Sequence, residues 1–372
     1  MQTTHNKPDS CPTNMGPFNI ILNGSPVMIH SPTSSKYGSG EQVTVSKMTF
    51  YHRIYNELGE LFDTPFSWDG IFVGGGFLTG LMEAKYDPEL YKESDIDMYI
   101  CADTVGHLRE RVKYVVDYLK KHTKNVYFMT SGYEQGFLID CLIDGWKRRL
   151  QLIGVTYASP CALFNGFKKS DKLVCPTPEQ VISTFDLTHC QIAFNGNVIC
   201  TPEFVQAMQT RQTNINPQIG SVHAYRLVKA YLRGFSIGKP EHKVFIKNFF
   251  RRTYAKEDFG KILPVKTDRM WHSFCLQQEF DELLKNPIVL QNLHKNFMID
   301  FEKTTIKQHL EAINRLHGVT DNITVYNRHG YIIMQRESPD KEPFMETREF
   351  ATSTDNIDIM IHRMSFGNVF TV

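Results

Sequence analysis

The stretch IFVGGGFLTGLMEAKYDPELYKESDIDMYI, residues 71–100, decides the fold that the sequence predicts. It begins with an apolar run that ends in three glycines, and continues with a helical apolar pattern and a polar loop. A second apolar run follows, and it opens with Asp95 and Asp97. This order predicts a strand, a tight turn, a helix, a loop and a second strand. We therefore expect a mixed α/β unit with an exposed glycine turn and acids at a strand start.

Asp95 and Asp97 carry the sharpest chemical signal. Residues two apart in a strand point to the same face, so the two carboxylates are expected side by side, while Ile96 and Met98 face the core. Adjacent carboxylates repel each other unless a cation lies between them, and hard oxygen ligands suit Mg²⁺ or Mn²⁺. A pair of such ions could bind a nucleotide's phosphates and activate an attacking hydroxyl.

Gly74 and Gly75 close the first strand directly into a helix, so main-chain N–H groups are expected to point at an anion. Thr79 could add a hydroxyl. A Walker loop is excluded because Gly80 is followed by leucine and methionine. A dinucleotide fingerprint is disfavoured because Thr79 stands where its third glycine belongs, and Tyr99 disfavours an EF-hand loop. The remaining alternative is an ordinary tight turn beside a solvated strand end.

Composition places few limits on function. The chain has 372 residues, 41% of them hydrophobic and 22% charged, which suits two modest domains. Its formal net charge of +1 provides no global attraction to nucleic acid. The eight cysteines form no C-x-x-C pair, and neither a signal peptide nor a membrane span is visible. We expect a soluble, intracellular protein located in the cytoplasm.

Four regions are predicted along the chain. Residues 1–17 are expected to be a disordered tail, and residues 18–201 a mixed α/β region with an N-terminal hairpin at Asn23-Gly24 and a second hairpin at Asn195-Gly196. Residues 202–320 carry helical patterns, including one over 243–254 that mixes cations with aromatics. That segment could contact single-stranded RNA or belong to the core. Residues 321–372 are expected to form a small β or irregular extension that begins with a hairpin.

A strand ending in Gly-Gly, a helix, and a strand bearing Asp-x-Asp resemble the DNA polymerase β-like nucleotidyltransferase superfamily, over residues 72–194. The resemblance implies an α+β fold, with a catalytic core of mixed sheet and helices followed by a mainly helical domain. It implies that Asp95 and Asp97 hold two Mg²⁺ or Mn²⁺ ions, and that Gly74 and Gly75 accommodate the phosphates.

The superfamily carries a third catalytic acid on a later strand. The best match is Asp186 in STFDLT, which is expected to open an apolar strand and to complete the coordination of the metal that activates the acceptor hydroxyl. Asp140 and Asp144 in FLIDCLIDG are competitors of the same chemical type. His189 alternates away from Asp186 and is expected to be structural.

A basic helix follows in the second half of the chain. Residues 185–194, together with Arg226-x-x-Lys229-x-Tyr231-x-x-Arg233, are similar to nucleotidyltransferases of large DNA viruses and phages. On a helix Arg226, Lys229 and Arg233 share a face, which could reach the triphosphate or the acceptor strand. The second domain of the family commonly supplies such a lysine. The alternative is a solvated basic face or structural ion pairs.

The leading interpretation is a template-independent nucleotidyltransferase that moves NMP from an NTP, ATP in the first instance, to a hydroxyl acceptor. The preferred acceptor is the 3′ end of a single-stranded RNA, as in polyadenylation by a poly(A) polymerase. The alternatives are synthesis of oligonucleotides or cyclic nucleotides, nucleotidylation of a protein, and a catalytically silent nucleic-acid-binding subunit. The core motif is shared by all the enzymatic readings.

Overall fold

The computed structural model describes residues 36–38, 40–58, 66–92, 94–131, 137–155, 175–217 and 221–238, together with short strands at 243–245, 274–276, 323–326 and 332–336. The tail predicted over residues 1–17 and the hairpin predicted at Asn23-Gly24 lie outside the described residues, as do most of the residues beyond 238.

Helices and strands alternate irregularly along the chain, which confirms the predicted mixed α+β class. The elements, in chain order, are α1 (Lys47–Leu58), β1 (Ile71–Gly74), α2 (Gly76–Met82), α3 (Pro88–Tyr91), β2 (Ile96–Cys101), α4 (Val105–His122), β3 (Val126–Ser131), β4 (Phe137–Ile143), β5 (Leu150–Val155), α5 (Pro178–Ile182), a 3-10 turn (Thr188–Cys190), β6 (Ile192–Phe194), β7 (Val198–Cys200), α6 (Pro202–Thr210), β8 (Gln212–Asn214), β9 (Ser221–His223), α7 (Ala224–Leu232), β10 (Ser236–Gly238), β11 (Lys243–Phe245), β12 (Phe274–Leu276), β13 (Ile323–Tyr326) and β14 (Ile332–Arg336).

The main sheet is mixed. Its strand order is β14-β13-β3-β4-β5-β2-β1-β6-β7. Strand β2 runs antiparallel to β1 on one side and parallel to β5 on the other. The remaining pairs in this sheet are antiparallel. The strand with the acids therefore lies near the middle of the sheet, between the strand that ends in glycine and β5.

The two faces of the sheet differ in character. Along β2, Ile96, Met98 and Ile100 belong to the large hydrophobic core, which α1, α2, α4, α6 and α7 complete. The opposite face carries a smaller apolar cluster that includes Tyr99 and is covered by α5. Because side chains alternate along a strand, Asp97 lies on this second face. The alternation predicted for the acid strand is thus present.

Several local predictions are confirmed and two are wrong. The hairpins at Asn195-Gly196 and over residues 323–336 form, as do helices α6 and α7. Lys243–Phe245, predicted as helix, is a strand because it pairs with β9 and β12, and such tertiary pairing overrides a helical pattern. Asp186 was expected to open a strand, but it lies in a turn, and the strand begins only at Ile192.

The chain beyond residue 201 continues the core of the sheet. Phe204 and Met208 of α6 and Leu227 and Val228 of α7 are buried in the same hydrophobic cluster as the strands. The separate helical domain predicted for residues 202–320 stays a prediction. None of the described helices is both long and apolar enough to cross a membrane.

Candidate functional site

A polar row crosses the second face of the sheet. The strand register places Gly74 opposite Asp97, Asp97 beside Gln151, and Gln151 opposite Asp140. Residues in register on neighbouring strands share a face, so the row brings the glycine turn and two carboxylates together. Asp95 lies two residues before Asp97 and joins them at the start of β2.

The glycine turn approaches the acids closely. Gly75 has φ 91° and ψ −162°, a region of backbone space that is essentially restricted to glycine. A Cβ atom at Gly75 would lie 3.5 Å from Oδ2 of Asp97. The lack of a side chain therefore leaves space directly beside this carboxylate. The N–H of Gly75 donates to the Ile192 carbonyl at 3.0 Å, so within this arrangement that particular N–H is already engaged.

Thr79 serves the packing of α2. Its side chain is fully buried, and its hydroxyl donates to the carbonyl oxygen of His189 at 2.6 Å. Thr79 thus ties α2 to the 3-10 turn, and its buried hydroxyl already donates to a main-chain carbonyl there. The phosphate contact that the sequence suggested for Thr79 therefore has no geometric support in this arrangement.

Arg149 connects two of the acids. Its Nε and Nη2 donate to the two carboxylate oxygens of Asp95 at 3.1 and 2.6 Å, and its Nη1 donates to Asp140 at 3.3 Å. Asp140 also accepts from Gln151 at 2.7 Å. Both oxygens of Asp95 are held by one planar guanidinium, which fixes the orientation of this carboxylate. Sequence reasoning missed Arg149, although an arginine that opens an apolar strand was a visible signal.

Asp97 is a buried acid whose anionic form is not fully stabilised by its surroundings. Burial raises its pKa to about 7 and the neighbouring Asp95 adds to this rise, while Arg226, Arg149 and Lys229 offset it only in part. Burial also raises the pKa of Asp140. The ionised form of Asp97 is therefore costly, and a cation bound beside Asp95 and Asp97 would stabilise it.

Helix α7 supplies two cations to this acid. It packs Leu227 and Val228 into the core, while Arg226 and Lys229 are partly exposed, and both lower the pKa of Asp97. Arg233, which was expected to share their face, follows the end of α7 and is buried. The amphipathic helix therefore places Arg226 and Lys229, but not Arg233, at the acids.

Arg233 has a structural position. It donates to the carbonyl of Leu90 at 3.2 Å and to the hydroxyl of Ser94 at 2.7 Å, and its guanidinium lies 4.4 Å from the centre of the Tyr91 ring. These contacts hold the segment that leads into Asp95. Arg233 therefore has a structural role through hydrogen bonds and a ring contact, whereas the ion pair of the basic helix is made by Arg226 with Asp186.

Asp186 lies in a tightly held turn. The side-chain amides of Gln191 and Asn216 both donate to the carbonyls of Ser183 and Phe185, at 2.8 to 3.4 Å. The Asn216 N–H donates to the Asp186 carbonyl at 2.8 Å. Sequence reasoning missed both amides, because their partners are visible only once the turn has folded.

The Asp186 carboxylate meets α7. Its Oδ2 accepts from Nε of Arg226 at 2.8 Å, and its Oδ1 is buried and has no hydrogen-bond partner among the described residues. The ring of Phe185 lies 5.3 Å from that of Tyr99, which places the turn beside β2. Asp186 is therefore near the acid row, but its carboxylate is paired with a cation, Arg226.

The two remaining candidate residues, Asp144 and His189, differ in burial. Asp144 is exposed and follows the end of β4. His189 is buried, contacts the Thr213 hydroxyl through Nδ1 at 2.9 Å and stacks on Phe235 at 4.5 Å. Burial, with Arg233 and Arg211 nearby, lowers the pKa of His189 well below its usual range, so the ring is neutral. The position of His189 is structural, as expected.

A hard divalent cation fits Asp95 and Asp97, because these are two carboxylates on one face with Asp97 destabilised as an anion. Within the described ranges no group of three or more metal-ligating side chains comes together. Asp140 and Asp186 are each turned towards an arginine instead. Among the described residues the arrangement thus offers two adjacent carboxylates, without a third ligating side chain beside them.

No family model, curated protein or solved structure matches this chain.

Proposed function

We propose that this protein is a nucleotidyltransferase that transfers NMP from an NTP to a hydroxyl acceptor, with Mg²⁺ or Mn²⁺ held by Asp95 and Asp97. The surroundings of the Asp97 carboxylate support this function above the others. The glycine turn leaves space 3.5 Å from the Asp97 carboxylate, and two cations of α7 act on the same carboxylate. Phosphoryl transfer needs acids that hold a metal, space for the phosphates, and cations that bind the polyanionic tail.

Each group has a distinct task in this proposal. Bound divalent ions would supply the positive charge that lowers the pKa of the attacking hydroxyl and neutralises the phosphates. Asp95 and Asp97 hold these ions, and Arg149 keeps the Asp95 carboxylate in one orientation. Gly74 and Gly75 leave room for the triphosphate, and Lys229 and Arg226 bind its tail. No protein general base is required.

Three acids are candidates for the third carboxylate. Asp140 lies in the same row as Asp97 and shares Arg149 with Asp95. Asp186 forms an ion pair with Arg226, and Arg226 also lowers the pKa of Asp97. Asp144, which is exposed after the end of β4, is the weakest of the three. Calorimetric binding of Mn²⁺ to Asp140→Asn and to Asp186→Asn, each compared with the wild type, decides between the first two.

The acceptor we propose is the 3′ end of single-stranded RNA, with ATP as the nucleotide. This part rests on the resemblance of the acid motif and of the basic helix to viral and poly(A) polymerase-like enzymes. A cytoplasmic location belongs to the same proposal, and the five free cysteines among the described residues are in keeping with a reducing compartment.

The test is incorporation of labelled nucleotide. The purified protein is incubated with Mg²⁺ or Mn²⁺, each labelled NTP and a short single-stranded RNA, beside the Asp95→Ala/Asp97→Ala double variant. Asp103→Asn, which changes a half-buried acid just after β2, is the matched control. We expect a ladder from the wild type and the control, and a loss of roughly 10³-fold or more in the double variant.

Other outcomes separate the alternatives. A short soluble product without RNA extension would indicate synthesis of an oligonucleotide or a cyclic nucleotide, and label on a protein would indicate protein nucleotidylation. No metal-dependent incorporation with any of these acceptors would refute the enzymatic proposal and support a silent nucleic-acid-binding subunit.

A further inference from the structure

Arg233 is a buried cation that uses only part of its guanidinium for structural bonds. The residue is 5% exposed, and its Nε and Nη2 donate to the Leu90 carbonyl at 3.2 Å and to the Ser94 hydroxyl at 2.7 Å. Within the described part of the chain its Nη1 makes no hydrogen bond, and no carboxylate pairs with this side chain. An arginine guanidinium stays charged in proteins, and a buried charge is costly without a counter-charge. This side chain is therefore suited to an anion.

The end of α7 fixes the main chain at Arg233. Gly234 has φ 82°, the left-handed conformation that commonly ends a helix, and the N–H of Phe235 donates back to the Ala230 carbonyl at 3.0 Å. The side chain of Phe235 is completely buried. Arg211 donates through Nη2 to the carbonyl of Arg233 at 2.8 Å. The guanidinium therefore extends from a backbone that is held on both sides, and Nη1 has a defined position.

The nitrogen without a hydrogen bond lies against the glycine turn. A Cβ atom at Gly76 would lie 3.1 Å from Nη1 of Arg233 and 3.6 Å from Sγ of Cys190. Burial raises the pKa of the Cys190 thiol to about 12, so this sulfur is uncharged and does not balance the arginine. Gly76 is partly exposed, whereas Gly74 and Gly75 are buried. Solvent therefore reaches the turn at the glycine that Nη1 contacts.

The buried acid in this region already has its own partners. The ring of Tyr91 lies 4.4 Å from the Arg233 guanidinium, and the hydroxyl of Tyr91 donates to Glu83 at 2.9 Å. Glu83 is also bonded to Arg211 at 2.8 Å and to Lys36. Because two cations share this one carboxylate, Glu83 does not supply a counter-charge for Arg233.

Successive glycines of the turn face opposite charges. A Cβ at Gly75 would lie 3.5 Å from Oδ2 of Asp97, while a Cβ at Gly76 would meet the guanidinium of Arg233. A divalent cation bound to phosphate carries both complementary charges, because its metal suits the carboxylate and its phosphate oxygens suit the guanidinium. The two sides of the turn therefore match a metal–phosphate complex better than either ion alone.

We propose that Arg233 binds a phosphate group beside Gly76 through Nη1. We assign this phosphate to the triphosphate of the NTP, and for the identity of the ligand the inference rests on the proposed function. Arg233 then has two tasks, since Nε and Nη2 hold the segment that leads into Asp95 while Nη1 binds the anion. A phosphate of an RNA backbone has the same chemistry, and the experiment separates the two sources.

The test places a methyl group against Nη1 without removing any hydrogen bond of Arg233. Gly76→Ala does this at a helical position with an ordinary φ. Gly106→Ala is the matched control, because Gly106 also lies in the first turn of a helix and its Cβ would meet only Thr104 Oγ1, at 3.8 Å. Arg233→Gln removes the charge itself.

Binding of inorganic triphosphate to each protein is measured by calorimetry in the presence of a chelator, so that no divalent ion contributes. KM for the NTP and kcat are measured with excess Mn²⁺, and the Kd for a short single-stranded RNA is measured without NTP. Thermal unfolding shows whether each variant is folded.

We expect the wild type to bind inorganic triphosphate without metal, and Gly76→Ala and Arg233→Gln each to weaken this binding about tenfold, as the loss of one charge-assisted hydrogen bond predicts. KM for the NTP should rise by a similar factor, with kcat and the Kd for RNA less affected. Gly106→Ala should match the wild type in all three measurements.

Several results would overturn this inference. A wild type that does not bind inorganic triphosphate refutes it without any variant, so it remains testable even if Arg233→Gln does not fold. Folded Gly76→Ala that binds triphosphate as the wild type does also refutes it. Weaker RNA binding with an unchanged KM would assign the phosphate to the acceptor strand instead of the NTP.

Failure of the proposed function has a different signature. In that case the wild type incorporates no nucleotide, while its binding of inorganic triphosphate still depends on Gly76 and Arg233. The phosphate site would then stand, and its assignment to a nucleotidyltransferase reaction would be wrong.

Discussion

Two clusters of charge in this protein use the same residue types with opposite results. Under the end of α2, Glu83 is completely buried, and its two carboxylate oxygens bond to Arg211 at 2.8 Å, to the hydroxyl of Tyr91 at 2.9 Å and to Lys36. Burial alone would raise the pKa of Glu83, but Arg211 and Lys36 outweigh it and hold the pKa below its usual value.

At the start of β2 the balance is reversed. Asp97 has three cations in its surroundings, yet burial and Asp95 keep its pKa at about 7. Its neighbours Asp95 and Asp140 share Arg149, so the arginine is divided between them. The Glu83 cluster is closed by its own partners, whereas the cations near Asp97 do not offset the burial of its carboxylate beside the glycine turn.

The charges around Glu83 pair with one another and stabilise the fold, whereas the Asp97 carboxylate would gain stability from a bound cation. A buried acid that is fully paired stabilises the fold only while its partners remain, because removal of one charge strands the others. An acid with an elevated pKa destabilises the fold and is retained where a function needs it. The raised pKa of Asp97, rather than the number of acids, distinguishes the second cluster as the candidate site.

The largest expected effect is on the closed cluster. Glu83→Gln keeps the side-chain shape but leaves Arg211 and Lys36 without their carboxylate, so we expect a loss of roughly 3–5 kcal/mol in the free energy of unfolding, measured with urea. Glu41→Gln removes the exposed partner of Lys85 and serves as the control, which should unfold close to the wild type. A loss below about 1 kcal/mol in Glu83→Gln would mean that the cluster is not closed.

The second effect has the opposite sign and depends on pH. Below about pH 4 the Asp97 carboxyl is protonated in the folded and the unfolded protein, so the wild type and Asp97→Asn should have similar stability. Between pH 4 and about 7 only the unfolded chain releases this proton, and the wild type should lose stability relative to the variant as pH rises.

Above pH 7 the difference should become constant, at up to about 4 kcal/mol in favour of Asp97→Asn. The measurement is urea unfolding of both proteins across this pH range without divalent ions. A variant that is less stable than the wild type at pH 8 would show that Asp97 is balanced, as Glu83 is, and would remove the distinction between the clusters.

The third and smallest effect concerns the glycine turn. Gly75→Ala forces a Cβ into a positive-φ conformation 3.5 Å from Asp97, so we expect a loss of about 1–3 kcal/mol in stability and weaker Mn²⁺ binding. Gly145→Ala is the matched control, because Gly145 also has a positive φ of 84° but its Cβ would meet nothing within 4 Å. The control should lose stability without any change in Mn²⁺ binding. Equal metal binding in the two variants would separate the turn from the acid site.

Local sequence patterns were sufficient to predict the helices and strands around the site. The apolar run before Gly74, the helical spacing after it and the alternation in β2 depend on neighbours a few residues apart, so they were readable in sequence. The capping box that begins α5, in which Thr177 and Gln180 bond reciprocally, belongs to the same class of local signal. The mixed α+β class follows from the order of such elements.

The sequence by itself determined that Asp95 and Asp97 would lie on one face beside a glycine turn, because both features follow from strand alternation and a short connection. Only the tertiary structure decided the partner of each acid. The parallel pairing of β2 with β5 brings Arg149 to Asp95 from 54 residues away, and the packing of α7 brings Arg226 to Asp186. Such pairings depend on strand register and on which helix face the core buries, and neither is encoded near the acids themselves.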